Sequence, residues 1–170
     1  MIQVPFFDLK RLYVEQEEEI NTAIKTTLES GHYILGKQGS HFEEALTKEL
    51  KVSSSAKAFG CNSGTDALIL SLLASGVQTG DEVITPSHTA IPTITAIVST
   101  GGKPVFADTH PESWVLDLEK ITDLITPQTK AVVAVHLYGA MVDVFALKEL
   151  LKKQGREDIA VIEDVAQAHG

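Results

Sequence analysis

The 170-residue sequence has little of several residue types, and each scarcity narrows the possible classes of protein. It has one cysteine, Cys61, so no internal disulfide can form and an extracellular location gains no support. Lysine and arginine number 14 against 23 aspartates and glutamates, a formal charge of −9, which argues against binding of nucleic acid. No apolar run approaches the ~20 residues that span a bilayer, and the start lacks the features of a signal peptide. We therefore expect a cytoplasmic protein that binds neither membrane nor nucleic acid.

What is present is the composition of a globular chain. Hydrophobic residues make up 44% and charged residues 22% of the sequence, which suffices for a packed core and excludes a disordered segment. Apolar residues at helical spacing predict two helices near the start, Leu12–Ser30 and Ser40–Leu50. We therefore divide the chain into an N-terminal helical segment, residues 1–50, and an α/β domain, residues 51–170.

Short apolar or β-branched runs alternate with helical patterns in the second part. The runs predict strands at Ala56–Phe59, Glu82–Thr85, Pro104–Ala107, Ala131–Val135 and Ala160–Ile162. The helical patterns lie at Thr65–Ala74, Ile91–Ser99, Leu118–Ile125 and Asp143–Gln154, with Asp117 and Asp143 as expected N-caps. This alternation predicts an α/β fold with a mostly parallel sheet. Because the last two runs are apolar on both sides, we expect helices on both faces of the sheet.

Ligands of such sheets gather at the carboxyl ends of the strands, so the segments after each strand are the candidate site. The turn Gly60–Leu68 joins a predicted strand to a helix, and its N–H groups and helix dipole could hold a phosphate near Gly64 and Thr65. An ordinary N-cap at Ser63 is the alternative. The turn matches neither the Walker loop nor the G-x-G-x-x-G dinucleotide motif, so it gives no support for ATP or NAD.

Glu163 and Asp164 follow the last predicted strand. A poorly solvated carboxylate there needs a cationic partner, and the protonated nitrogen of a pyridine ring is one such partner. A turn cap or a nearby lysine would satisfy it equally well. A metal site of Glu163, Asp164, His169 and His136 matches no ligand spacing known to us, so we expect no metal.

Four further side chains lie in these segments. His88 could lie over a flat cofactor ring, or it could be a solvated bystander. His136 and Tyr138 follow the run at 131–135 and could contact a substrate or satisfy backbone groups. Cys61 has no basic neighbour in sequence, so we expect a packed small residue and not a nucleophile.

Six motifs in a fixed order carry a resemblance to a known family. They are Pro5–Leu9, Gly31–Gly36, Cys61–Leu68, Gly80–Thr89, Val135–Gly139 and Glu163–Gly170. In this order they resemble the amino-terminal part of the DegT/DnrJ/EryC1/StrS family of sugar aminotransferases. Each motif alone is weak, but the ordered set is specific.

The resemblance implies the large domain of a fold-type I enzyme that uses pyridoxal 5'-phosphate, here incomplete at its C-terminus. Such enzymes move an amino group, usually from glutamate, onto a nucleotide-linked keto-sugar. Gly64 and Thr65 match the phosphate-binding turn, Asp164 matches the partner of the pyridine nitrogen, and Gln167 matches the side chain near the ring hydroxyl. The resemblance also implies a homodimer, to which the Leu12–Leu28 helix would contribute.

Two departures from the family pattern bear on mechanism. Where the family often has an aromatic residue stacked on the ring, this chain has Ala90, and His88 is the substitute that we consider. The family's Schiff-base lysine lies downstream of the last motif, and no lysine follows that motif here. We therefore assign no catalytic residue and expect no transamination by these residues alone. Alternatives are a sugar dehydratase of the same family, with histidine in place of the lysine, and a non-catalytic sensor or interaction protein that keeps the cofactor cradle.

Overall fold

The computed structural model describes residues 4–51, 53 and 55–169. It divides into two compact units, Met1–Gly60 and Cys61–Gly170. The division falls later than the boundary that we predicted after residue 50. The division is later because α2 (Lys37–Glu49) binds the segment that follows it. Thr47 Oγ1 accepts the Ala58 N–H at 3.1 Å, and Glu43 accepts the Gly60 N–H at 2.6 Å.

These two hydrogen bonds also explain a wrong prediction. The run Ala56–Phe59 is irregular and not a strand. A strand needs a neighbouring strand as partner for its backbone groups, but here N–H groups of the run and of Gly60 bond to side chains of α2. The apolar and aromatic residues of the run gave no indication of this competing partner.

The first unit also contains α1 (Leu9–Ser30), which begins earlier than predicted. Asp8 accepts the Arg11 N–H at 3.0 Å and so caps the helix. The helix ends at Gly31, whose φ of 67° lies in the left-handed region that glycine tolerates.

The second unit is an α/β layer structure. Its elements are α3 (Gly64–Ala74), β1 (Glu82–Pro86), α4 (Ile91–Ser99), β2 (Lys103–Ala107), α5 (Leu118–Ile121), β3 (Thr129–Val135), α6 (Val144–Lys153) and β4 (Ala160–Asp164). A 3-10 turn, Thr122–Leu124, extends α5. The four strands pair in parallel in the order β2-β1-β3-β4. The predicted α/β fold with a parallel sheet is confirmed.

Local capping fixes where several helices begin. Ser63 Oγ accepts the Asp66 N–H at 3.2 Å at the start of α3. Asp117 accepts the Glu119 N–H at 3.0 Å, and Asp143 accepts the Ala146 N–H at 2.9 Å, so both predicted N-caps are confirmed.

Two apolar layers cover the two faces of the sheet, as predicted. The layer under α5 and α6 includes Ile84, Ile121, Val132, Ala134, Leu147 and Leu151. The layer under α3 and α4 includes Leu68, Leu72, Val83, Ala96, Ile97, Val133, Val135 and Leu137. Successive side chains of a strand point to opposite faces, so Val132 and Val133 on β3 belong to different layers.

The strand order locates the position where a ligand would bind. From β1 the chain crosses to β2 on one side, and it then returns to place β3 on the other side of β1. The crevice at the carboxyl ends of β1 and β3 is therefore the topological switch point, where open α/β sheets bind ligands. Within the described part of the chain, no helix is long and apolar enough to cross a membrane.

Candidate functional site

The N-terminus of α3 is open to a ligand. Ser63 caps the Asp66 N–H, while the N–H groups of Gly64 and Thr65 have no protein partner among the residues that the structure describes. A Cβ built on Gly64 would meet no described residue within 4 Å, so the space beside Gly64 is free. Leu68, in the first turns of α3, shares a core layer with Val135 at the carboxyl end of β3. Because α3 connects directly to the start of β1, its C-terminus lies towards the amino edge of the sheet and its open N-terminus towards the carboxyl edge, where ligands bind.

Cys61 precedes this terminus. It is exposed, and its thiol donates a weak hydrogen bond to the Ser63 carbonyl, with Sγ to O at 3.4 Å. The expectation of a packed small residue is therefore wrong. Cys61 begins the turn and points outward, because the first residue of this segment that lies in the core is Leu68.

Asp164 is the last residue of β4, half-buried at the carboxyl end of the strand. Its Oδ1 accepts the Ala166 N–H at 3.1 Å, which caps the following turn. Among the described residues, it forms no salt bridge with lysine, arginine or histidine. Its charge is therefore available to a cation outside these residues, and Gly170, the end of the same motif, lies outside the part of the chain that is described.

His136 follows β3 and is fully buried in its side chain. Its Nδ1 accepts the Val142 N–H at 3.0 Å, so the ring proton lies on Nε2, which donates to Glu163 Oε2 at 3.1 Å. Both ring nitrogens are thus used, and His136 has no lone pair for a metal. Nowhere in residues 4–51, 53 or 55–169 do three or more histidine, cysteine, aspartate or glutamate side chains form a group that could hold a metal ion.

The segment after His136 makes a tight turn, Leu137–Ala140. Tyr138 has φ 55° and Gly139 has φ 83°, and the Ala140 N–H donates to the Leu137 carbonyl at 2.9 Å. Positive φ at both central residues is the signature of a type I′ turn. The Tyr138 N–H therefore points outward, and Gln167 Oε1 accepts it at 2.9 Å. This bond leaves the amide NH₂ of Gln167 as the group that can donate to a ligand.

His88 follows β1 and lies between two aromatic rings. Its ring centroid is 5.9 Å from that of Tyr138, at an interplanar angle of 88°, and 5.8 Å from that of Trp114, at 77°. Trp114 belongs to the loop after β2 and is a residue that our sequence reasoning did not select. The only signal available was that it is the single tryptophan of the chain.

The predicted site residues are thus partly joined by direct contacts. His88 touches Tyr138, whose N–H binds Gln167. Asp164 is joined to the same region because its carbonyl accepts the His136 N–H at 3.0 Å. Gly64 and Thr65 begin α3, which contacts β4, but no hydrogen bond to the other predicted residues is found in the described part of the chain.

The perturbed titrating groups lie elsewhere, at the amino end of the sheet and beside it. The Thr126 hydroxyl and the Lys103 ammonium lower the pKa of Glu82, the first residue of β1. A hydrogen bond from Arg156 lowers the pKa of Asp158, and this carboxylate raises the pKa of Arg156. These groups tie strands and loops together far from the switch point, so their role is structural.

Known proteins share both the sequence and this fold. The profile of the DegT/DnrJ/EryC1/StrS aminotransferase family matches residues 14–170. The chain belongs to this family. One relative, the dTDP-3-amino-3,4,6-trideoxy-alpha-D-glucose transaminase of Streptomyces venezuelae, is 42% identical over 168 residues, which are 99% of this chain and 43% of the relative.

Two solved structures extend the comparison. The crystal structure of S. venezuelae DesV in complex with a ketimine intermediate superposes with a TM-score of 0.90 at 42% identity, covering 100% of this chain and 44% of DesV. NtdA of Bacillus subtilis, solved with bound cofactor PMP, gives a TM-score of 0.89 at 33% identity and covers 100% and 38% of the two chains. The chain therefore spans less than half the length of these relatives and is homologous to sugar aminotransferases that use pyridoxal phosphate.

Proposed function

We propose that this chain is the cofactor-binding part of a pyridoxal-phosphate-dependent aminotransferase that acts on a nucleotide-linked keto-sugar, with glutamate as the amino donor. The observation that carries the proposal is the site at the carboxyl edge of the sheet. There, among the residues that the structure describes, Asp164 has a carboxylate without a cationic partner and the amide NH₂ of Gln167 has no acceptor, both in a chain of this family.

The side chains and backbone groups match the cofactor in charge and hydrogen-bonding capacity. The phosphate is an anion, and the open N-terminus of α3 offers the N–H groups of Gly64 and Thr65 together with the positive end of the helix dipole. The pyridine nitrogen is protonated in its active form, and Asp164 supplies the opposite charge. The ring hydroxyl oxygen accepts hydrogen bonds, and Gln167 presents its NH₂ because Tyr138 holds its Oε1.

When bound, the cofactor would supply an electron sink for amino-group transfer. The residues of this chain would bind and orient it: Asp164 keeps the ring nitrogen protonated, and Gln167 donates to the ring oxygen. A residue that moves the proton at the substrate carbon is not among those that we assign. The choice of a nucleotide-linked keto-sugar and of glutamate rests on the family and on the transaminase name of the Streptomyces relative.

Binding of pyridoxamine phosphate tests the proposal. Its amine cannot condense with lysines, so equilibrium dialysis measures the noncovalent site alone. Asp164→Asn should weaken binding by roughly tenfold or more, because the loss of a charge-assisted bond costs about 1.5–3 kcal/mol. Asn can still accept the Ala166 N–H, so the turn is retained. Asp123→Asn is the matched control, because Asp123 is exposed and the substitution removes the same charge.

Gln167→Glu separates the two roles of Gln167. The carboxylate can still accept the Tyr138 N–H but cannot donate to a ring oxygen, so binding should weaken by about tenfold while the turn persists. Amino transfer itself would be measured on the whole protein, by mass spectrometry, with glutamate and a nucleotide-linked keto-sugar. Absence of pyridoxamine phosphate binding, or equal affinities for Asp164→Asn and wild type, would contradict the proposal.

A further inference from the structure

Three rings from three separate loops meet at the carboxyl edge of the sheet. His88 follows β1, Trp114 follows β2 and Tyr138 follows β3, and both neighbours make edge-type contacts with His88. We call these three residues the aromatic cluster. Residues 61–170 contain four phenylalanine, tryptophan and tyrosine residues, so half of them belong to this cluster.

Two of the three residues of the aromatic cluster have a strained backbone that core packing does not explain. Trp114 has φ 64° and Tyr138 has φ 55°, in the left-handed region that costs a residue with a Cβ about 1–2 kcal/mol. Burial of a large ring would offset that cost, but Trp114 is 56% exposed and Tyr138 is 73% exposed. Strain that persists at two exposed aromatic residues points to a function for their position.

Hydrogen bonds hold this arrangement on both sides. The Trp114 N–H donates to the His110 carbonyl at 2.9 Å, and the His110 N–H donates to the Val115 carbonyl at 2.9 Å, which closes the loop after β2. On the other side, the Tyr138 N–H binds Gln167, at 2.9 Å. The aromatic cluster is thus built into the fold and directly adjoins a residue that we assign to the cofactor.

We propose that the pyridine ring of the cofactor lies against the aromatic cluster and that Trp114 is a cofactor-contacting residue. This inference rests on the proposed function. Trp114 and Tyr138 stay largely exposed within the cluster, so ring surface is left for a ligand. An electron-poor protonated pyridine is attracted to the electron-rich face of an indole or phenol. Ala90, at the N-terminus of α4, offers only a methyl group.

Trp114 is the only tryptophan of the chain, so its fluorescence reports on this position alone. We expect pyridoxamine phosphate to quench it saturably, with the same dissociation constant that equilibrium dialysis gives. Inorganic phosphate at equal concentration should leave the emission unchanged, because it occupies only the end of α3. A nucleoside diphosphate such as dTDP should also leave it unchanged.

Variants test the energetic contribution of the ring. Trp114→Asn removes the indole while asparagine tolerates positive φ, so the loop is retained, and binding measured by dialysis should weaken by about tenfold. Tyr138→Asn should act in the same direction, with circular dichroism as the check on folding. Phe145→Leu is the matched control, because Phe145 is an exposed aromatic residue on α6, outside the cluster, and its change should leave the affinity unaltered.

The outcomes separate this inference from the proposed function. If pyridoxamine phosphate binds in dialysis but neither quenches Trp114 nor loses affinity in Trp114→Asn, the inference is overturned and the proposed function stands. If dTDP quenches Trp114 and pyridoxamine phosphate does not, the cluster serves the nucleotide, and the inference is again overturned. If the wild-type chain binds no pyridoxamine phosphate by dialysis, the proposed function fails first and this inference fails with it.

Discussion

Replacing His136 by leucine is expected to destabilise the second unit and to loosen the turn that orients Gln167. His136 is the only group that we find joining the start and the end of the β3–α6 connection within the described residues. Its Nδ1 accepts the Val142 N–H, and its Nε2 donates to Glu163. The turn with Tyr138 lies between His136 and Val142. Leucine fills a similar apolar volume but offers neither an acceptor nor a donor.

The magnitude follows from the two bonds. Val142 is buried, and an unsatisfied buried N–H costs about 1–3 kcal/mol. Glu163 is 44% exposed and can return to water, so the loss of its bond adds about 1 kcal/mol. Together these give about 2–4 kcal/mol, a large fraction of the stability of a domain of this size.

Urea denaturation followed by circular dichroism measures this change by linear extrapolation. His136→Asn is the informative companion, because its Oδ1 lies near the place of Nδ1 and can still accept the Val142 N–H. It should recover about half of the loss. His41→Leu, at an exposed histidine on α2, is the control and should change little. A loss below about 1 kcal/mol for His136→Leu, or equal losses for leucine and asparagine, would refute the reasoning.

Three further predictions concern the frame of the fold. Arg156→Met should cost about 2–4 kcal/mol in urea denaturation, because the guanidinium donates to the carbonyl of Thr126, before β3, at 2.6 Å and to that of Thr129, the first residue of β3, at 2.7 Å. The pKa of Glu82 is lowered in the folded state, so the ionised Glu82 stabilises the fold above its unfolded pKa of about 4.3. This stabilisation is lost as the pH falls through the folded pKa, which gives a decrease of stability at low pH that we call the acid limb. Glu82→Gln should make the acid limb less steep. Gly101→Ala should cost about 2 kcal/mol or more, because φ is +82° and the new Cβ would clash with Thr79.

Matched variants sharpen two of these predictions. Glu149→Gln removes an exposed charge on α6 and should leave the acid limb unchanged. Gly155→Ala has the same left-handed backbone, φ +67°, with nothing within 4 Å of the new Cβ, so it isolates backbone strain from the clash at Gly101. Equal losses at the two glycines would show that the contact with Thr79 does not matter. A loss for Arg156→Met no larger than that of an ordinary surface change, about 0.5 kcal/mol, would show that the two hydrogen bonds of Arg156 do not stabilise the fold.

Features that depend on neighbours in sequence could be predicted. Asp117 and Asp143 were recognisable as N-caps because a cap binds an N–H two or three residues away. The parallel sheet followed from strands that alternate with helices. The run Ala56–Phe59 was predicted wrongly, because the N–H groups of Ala58 and of the following Gly60 bond to side chains of α2, and no local pattern encodes that choice.

In the candidate site, too, residues in a local motif could be selected from the sequence, whereas contacts between distant loops could not be predicted. Asp164 and Gln167 were selected from the sequence because they lie at and just after the end of the last strand, in a recognisable motif. Trp114 was missed because the loop that carries it is distant in sequence from His88, and only the pairing of β1 with β2 brings the two rings together.

The sequence by itself determined the order of strands and helices after residue 60, the two aspartate caps and the family, because these depend on periodicity and on short motifs. It also predicted the edge of the sheet at which a ligand would bind. Only the tertiary structure decided how the candidate residues act. It showed that His136 is buried and that both of its ring nitrogens form hydrogen bonds within the fold. It also left Gln167 with a free donor and gathered three rings at one edge, because parallel pairing sets loops from distant parts of the chain side by side.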